Sequence, residues 1–238
     1  MNLKNEKEIK TMKISLIINI IIFIFTIVAS IIMFTGFKFM YGYETVLEST
    51  RIGMFRFFTV DSNLFMGIIA LLFAIEEKKV LDGKKEEIST KMYVLKLMAT
   101  TGVGLTFFVV FMYLGPIAKG GIPSMIMNSN LFFHLLIPVI SMLNFMIFEK
   151  TNKLKFKHSF YGVIPMIVYG IYYLGNVLIH VENGKVSPKY DWYWFVQNGI
   201  WTAVIVVPMI LIFTYGISFV LWKINNKNVN KRTIKTKI

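Results

Sequence analysis

The chain has 238 residues, 55% of them apolar and only 16% charged, against about 25% charged in an ordinary soluble domain. A soluble globule of this length has too little interior for so much apolar side chain, so lipid is the other solvent and an all-α integral membrane protein is expected. The net charge of +13 sits in short lysine clusters beside long apolar runs, which marks membrane orientation rather than nucleic-acid binding; with no cysteine, disulfides and thiol chemistry are excluded.

In chain order, Lys4, Lys7, Lys10 and Lys13 form a basic leader ahead of an apolar run at 14–35. A cleavable signal has an apolar core of about 7–15 residues. This run of 22 residues is long enough to cross a bilayer as a helix and reads as a retained first span. Further runs at 57–75, 93–115, 125–148, 159–180 and 198–222 complete a six-transmembrane-helix bundle, one membrane domain over 1–238 with basic tails at 1–13 and 223–238. Transmembrane strands need only about 10 residues, and long single runs satisfy their backbone in lipid as helices. The mixed-charge loop beginning at Glu76-Glu77 reads as a solvated linker. Lys96, just inside the third span, is expected to snorkel to the interface.

Of the Lys and Arg outside the spans, 19 lie on the side that holds both termini and the 76–92 and 149–158 loops, and 6 on the other. Positive loops stay inside, so both termini are expected to be cytoplasmic, in a multi-pass protein of the cell membrane. The Lys, Ile and Asn bias suggests a bacterial source. No internal repeat is visible, and no two glycines fall four apart, so oligomeric state stays open.

Two segments break the apolar pattern. The second span opens Arg56-Phe-Phe-Thr-Val-Asp-Ser-Asn63, and the fourth contains Asn128-Ser-Asn-Leu-Phe-Phe-His134, followed by Pro138. Thr59 and Asn63 are i and i+4 and share a helix face, with Asp61 and Ser62 beside them; Asn130, His134 and Pro138 form a similar stripe. Both groups fall in the outer halves of their spans. The fifth span ends there too, with Asn176 and His180, and its following loop carries Tyr190, Asp191, Trp192 and Tyr193. These polar groups are therefore expected to meet at one depth, with no matching set in the cytoplasmic halves. Ionisable and polar groups in lipid are candidate functional residues by default. Plainer roles exist for each: Thr59, Asp61 or Ser62 as an N-cap, His134 as a packing histidine, and 190–194 as an interfacial aromatic belt.

Without cysteine, covalent catalysis needs a Ser, Thr or carboxylate nucleophile with a base. The chain has no G-x-S-x-G elbow and no H-E-x-x-H motif, and its histidines lack ligand spacing, so neither a metal nor another cofactor is expected. A Thr–His pair remains, in which Thr59 attacks an acyl carbonyl and His134 accepts its proton. Asn63, Asn130 or a backbone N–H would hold the oxyanion, and Asp61 or Asp191 would orient the imidazole.

The segment Phe-Phe-Thr59, with its following polar residues, and Asn130-x-x-x-His134 resemble the two signature segments of the androgen-induced protein family, which includes the androgen-dependent TFPI-regulating protein and a bacterial branch of six-span proteins. Tyr190-Asp-Trp-Tyr-Trp-Phe195 is a looser match. The resemblance implies a multi-span hydrolase with Thr59 as nucleophile and His134 as its partner, cleaving fatty acid esters of hydroxy fatty acids. Asn63, Asn130, Asp61, Ser62, Asn176, Asp191 and Tyr193 are then expected around a lipid-like substrate drawn from the membrane. The alternative is a non-enzymatic carrier or accessory subunit whose polar stripe lines a binding cavity.

Overall fold

The computed structural model describes residues 6–151, 153–196 and 199–235, so the ends of both basic tails and Asn198, where the last span was expected to begin, lie outside the described residues. The fold is nearly all-α. Five helical stretches are long and apolar enough to cross a membrane: α1 (Glu6–Thr35), α2 (Phe58–Leu81), α3 (Thr90–Ile117), α6 (Phe156–Ile179) and the Ile200–Asn226 part of the last stretch, whose α-helix, α7, is Ala203–Lys235. Between α3 and α6 lie a short helix, α4 (Gly121–Met125), and a helix of 17 residues, α5 (Leu131–Ile147).

The expected fourth span, 125–148, is thus divided. Asn128 takes a positive φ of 53°, which asparagine tolerates better than most residues, and its side chain is spent on a neighbouring loop. Its Oδ1 accepts the N–H groups of Phe39 (2.8 Å) and Met40 (2.9 Å), and the Asn130 amide donates to Val46 O at 2.8 Å. The segment between α1 and α2 is folded down onto this break. α5 then opens as a π turn over Leu131–Leu136, and α3 has another at Val110–Leu114. Each stands just before a proline, Pro138 and Pro116. A proline has no N–H for the carbonyl four residues back, and the ladder shifts register to compensate.

α3 is the central helix, touching α2, α5, α6 and α7, while α1 packs on α2 and α5. Helices approach closely where small residues face each other. A Cβ on Gly67 would stand 2.7 Å from Thr26 Cγ2 of α1, and one on Gly162 would stand 2.1 Å from Ser218 Oγ and 2.7 Å from Thr101 Oγ1. Ser218 also donates to Ser159 O at 2.7 Å, which fastens α7 to the start of α6. A hairpin, β1 (Val181–Glu182) and β2 (Lys185–Val186), follows α6. Asn183 and Gly184, with φ of 52° and 76°, supply the left-handed pair that such a tight turn needs.

Two expectations about charge are overturned. Lys96 does not snorkel; it is 0% exposed. Its ammonium lies 3.1 Å from Glu149 Oε1, donates to Asn19 Oδ1 and stands over the Phe73 ring. Nor are Glu76 and Glu77 in a solvated linker, because α2 runs six residues past Ile75, to Leu81. That extension carries Glu77, 2% exposed, into the same cluster, where Asn19 Nδ2 reaches Glu77 Oε2 at 3.2 Å and Glu149 Oε1 at 2.9 Å. Asn144 Nδ2 adds a bond to Glu149 Oε1 at 2.7 Å. Polar groups satisfying one another stay buried where an isolated lysine would reach for water. A buried polar set therefore does exist at the end of the bundle away from Thr59.

The close approach at Gly162 sets a test. Gly162→Ala should destabilise the protein by about 1–3 kcal/mol, the usual cost of overpacking. Gly170→Ala, on the same helix with open space beside it, should be neutral or slightly stabilising. Thermal unfolding of both variants in detergent measures the difference.

Candidate functional site

The helix that carries Thr59 starts one residue before it. Phe57 is the N-cap, with an extended backbone and no side-chain cap of its own. The first orphan N–H of α2, on Phe58, is instead satisfied by the Tyr193 hydroxyl at 2.8 Å. Thr59, Asp61 and Ser62 all lie inside the helix, so none of them is its N-cap. Phe57 and Tyr193 rings also meet edge to face, with centroids 6.2 Å apart.

The 187–196 segment is folded inward. Asp191, 1% exposed, accepts from Phe195 N and Val196 N, each at 3.0 Å, and from the Tyr173 hydroxyl. Trp192 Nε1 donates to Tyr169 Oη at 3.0 Å, and Tyr169 donates to Arg56 O at 2.5 Å. The Asn176 amide holds Tyr190 O at 2.8 Å, and His180 stacks on the Tyr190 ring with centroids 3.5 Å apart. Trp192 and Tyr193 are buried, so the expected interfacial belt is an inward plug, with Trp194 alone of the three exposed. Burial pushes the Tyr193 phenol up to about 12; it stays protonated across the physiological range.

Behind this plug lies a cavity of about 190 Å³ between α2, α3, α6 and α7. Phe58, Leu105, Met166, Leu174, Val207 and Ile210 are among its apolar walls, and its polar members are Thr59, Thr106, Tyr169, Tyr173 and Tyr193. The Thr106 hydroxyl pairs with Ser62 Oγ at 3.3 Å, and Tyr169 and Tyr173 are engaged as described. Among the described residues no hydrogen bond engages the Thr59 hydroxyl. The cavity therefore offers one uncommitted hydroxyl in an otherwise apolar chamber.

His134 is not among the residues that line the chamber. It is fully buried, with Nδ1 against Met125 O, and Nε2 has no hydrogen-bond partner among the described residues. A carbonyl only accepts, so Nδ1 carries the proton and Nε2 is left as a bare acceptor. Asn63 joins the two segments: its Nδ2 donates to Thr59 O at 2.7 Å and to Phe133 O, beside His134, at 3.1 Å. It lies about 40° round the helix from Thr59, at 100° per residue, so Thr59 stands at the edge of the face that meets α5.

Of the residues singled out in the sequence, Thr59 and Tyr193 reach the chamber, and Asn63 ties Thr59 to the His134 segment. Ser62 links α2 to α3. Asn130, Asn176 and Asp191 hold loops, and Asp61 lies half-buried in the first turn of α2 with no hydrogen bond to His134 among the described residues. Sequence reading missed Tyr169, Tyr173 and Thr106. The one signal was the i, i+4 spacing of the two tyrosines within an apolar span.

Asp191 carries a structural prediction. Hydrogen bonds to a charged group contribute about 1.5–3 kcal/mol each, and Asp191→Ala removes several at once. Limited proteolysis of this variant should open the 187–196 segment and should lower thermal stability far more than Thr59→Ala does. No family model, no curated protein and no solved structure matches the chain.

Proposed function

We propose that the protein is a six-span hydrolase of the cell membrane that takes a lipid-like ester into the Thr59 chamber. Thr59 Oγ attacks the acyl carbonyl, and its proton passes to His134 Nε2. The N-terminus of α2 supplies a positive field for the oxyanion, its N–H groups at Phe58, Val60 and Asp61 being already given to Tyr193 Oη and Phe57 O. The leaving alcohol takes the proton from His134, and water then hydrolyses the threonyl ester. The observation that carries this reading is the uncommitted Thr59 hydroxyl in an apolar chamber, with a neutral, unpartnered imidazole nitrogen on the segment that Asn63 joins to it. Resemblance to the androgen-induced protein family in Phe-Phe-Thr59 and Asn130-x-x-x-His134 supports the same assignment. Asn63 and Asn130 then act by holding backbone, since both amides are already given to carbonyls.

A second reading is favoured by the place of His134 outside the chamber lining: a non-enzymatic protein that binds a lipid-like molecule. Two experiments separate them. A fluorophosphonate-type acyl-enzyme probe, followed by peptide mapping, should label Thr59 in the parent protein and nothing in Thr59→Ala. Hydrolysis of a long-chain ester should fall to background in Thr59→Ala and in His134→Ala, and the double variant should be no worse, because a nucleophile and its base act as a unit. Parent protein that binds lipid yet turns over none of a broad ester panel leaves the binding reading.

The topology within this proposal has its own test. α5 serves as the fourth span together with the divided segment before it, and both termini are cytoplasmic. A reporter fused after Lys237 should read cytoplasmic, and one inserted in the 181–197 loop should read external. An external C-terminus overturns the six-span arrangement.

A further inference from the structure

The buried cluster around Lys96 lies far from the Thr59 chamber; Thr59 and Glu77 are separated by about 27 Å of helix at 1.5 Å per residue. Ionised throughout, Glu77, Glu149 and Lys96 carry one net negative charge, in side chains almost wholly removed from solvent. Lys96 faces Glu149 directly, whereas Glu77 reaches it through the amide of Asn19. A single ammonium cannot neutralise two carboxylates, and an uncompensated buried charge is strongly disfavoured. Glu149 Oε1 accepts from Lys96, Asn19 and Asn144, yet its other oxygen, Oε2, is buried with no hydrogen-bond partner among the described residues. Glu77 and Glu149 both line a second cavity, of about 200 Å³, which extends to the exposed Glu8 on α1 and to Lys150.

We propose that Glu77 and Glu149 form a proton-binding pair that holds one exchangeable proton, delivered through the cavity beside Glu8 and Lys150. The proton binds one carboxylate oxygen and gives a carboxylic acid, and the cluster becomes electrically neutral. The other titratable groups that face the pair are few. Lys96 of α3 pairs with Glu149, and Tyr93 of α3, Glu8 of α1 and Lys150 line the cavity with the pair. Glu76, next to Glu77, is turned away and pairs with Lys79 and Lys85.

Infrared difference spectra of the full chain in lipid nanodiscs, taken across a pH titration, read the carbonyl stretch of a protonated carboxylic acid. A band present at neutral pH should vanish reversibly in alkali. It should be missing from Glu77→Gln and from Glu149→Gln, because each leaves one carboxylate against one ammonium. Lys96→Met should strengthen it, since two carboxylates then lack a cation. Thermal unfolding gives a second readout. Stability falls with rising pH wherever the folded state holds a proton that the unfolded chain releases, so the parent's melting temperature should drop by several degrees from about pH 5 to about pH 8. Both Gln variants should show a flat profile. No acid band in the parent, or a sole band that survives in both single variants, overturns the proposal. So does loss of the band when sodium ions are added at fixed pH, which would make a metal cation the neutralising charge.

Discussion

A lysine that cannot reach water dictates much of this structure. Lys96 sits on the central helix, and its charge has to be met from the helices around it: Asn19 from α1, Glu77 from α2, and Glu149 just beyond α5. Apolar helices in lipid gain little from burying one another, so polar contacts of this kind fix the register in which they pack. Removing one partner of a buried ion pair typically costs about 3–5 kcal/mol, because the other charge is left stranded. The cluster thus holds four parts of the chain to one depth.

At the other end the same physics is solved by side chains that satisfy loop backbone. Asn128, Asn130, Asn176 and Asp191 spend their side chains on backbone N–H and C=O groups of the loops. Loop backbone drawn in among apolar helices would otherwise lose its water without replacement. The 187–196 segment and the segment ahead of α2 are therefore part of the bundle rather than tethers between spans. A helix start that lacks its own capping side chain can be completed from 135 residues away, by the Tyr193 hydroxyl.

Hydropathy and length made the long helices legible, because a run of about 20 apolar residues has few other uses. They also located Thr59 and His134 as polar groups at one end of the bundle. Three things were not legible. The direct partners of Lys96, Asn19 and Glu149, lie 77 and 53 positions away along the chain, and a lysine at a span end looks the same whether it snorkels or pairs. The chamber is walled by residues that read as ordinary apolar span, and only the inward fold of 190–196 makes Tyr193 part of it. The hairpin around Asn183-Gly184 is marked only by that dipeptide, within a short loop between two long apolar runs.

The chamber also has a direction. α6 and α7 touch where Gly162 meets Ser218, and the space between them is walled by Ile167 and Ile171, which are 44% and 70% exposed. Its mouth therefore opens on the apolar flank, while the aromatic plug closes the end. On the proposed function, a molecule arriving by that route would first be dissolved in the bilayer, confined to two dimensions and concentrated by partitioning. Occupancy would then follow the mole fraction of the molecule in the membrane rather than its aqueous concentration, and diluting the vesicles in buffer would leave it unchanged.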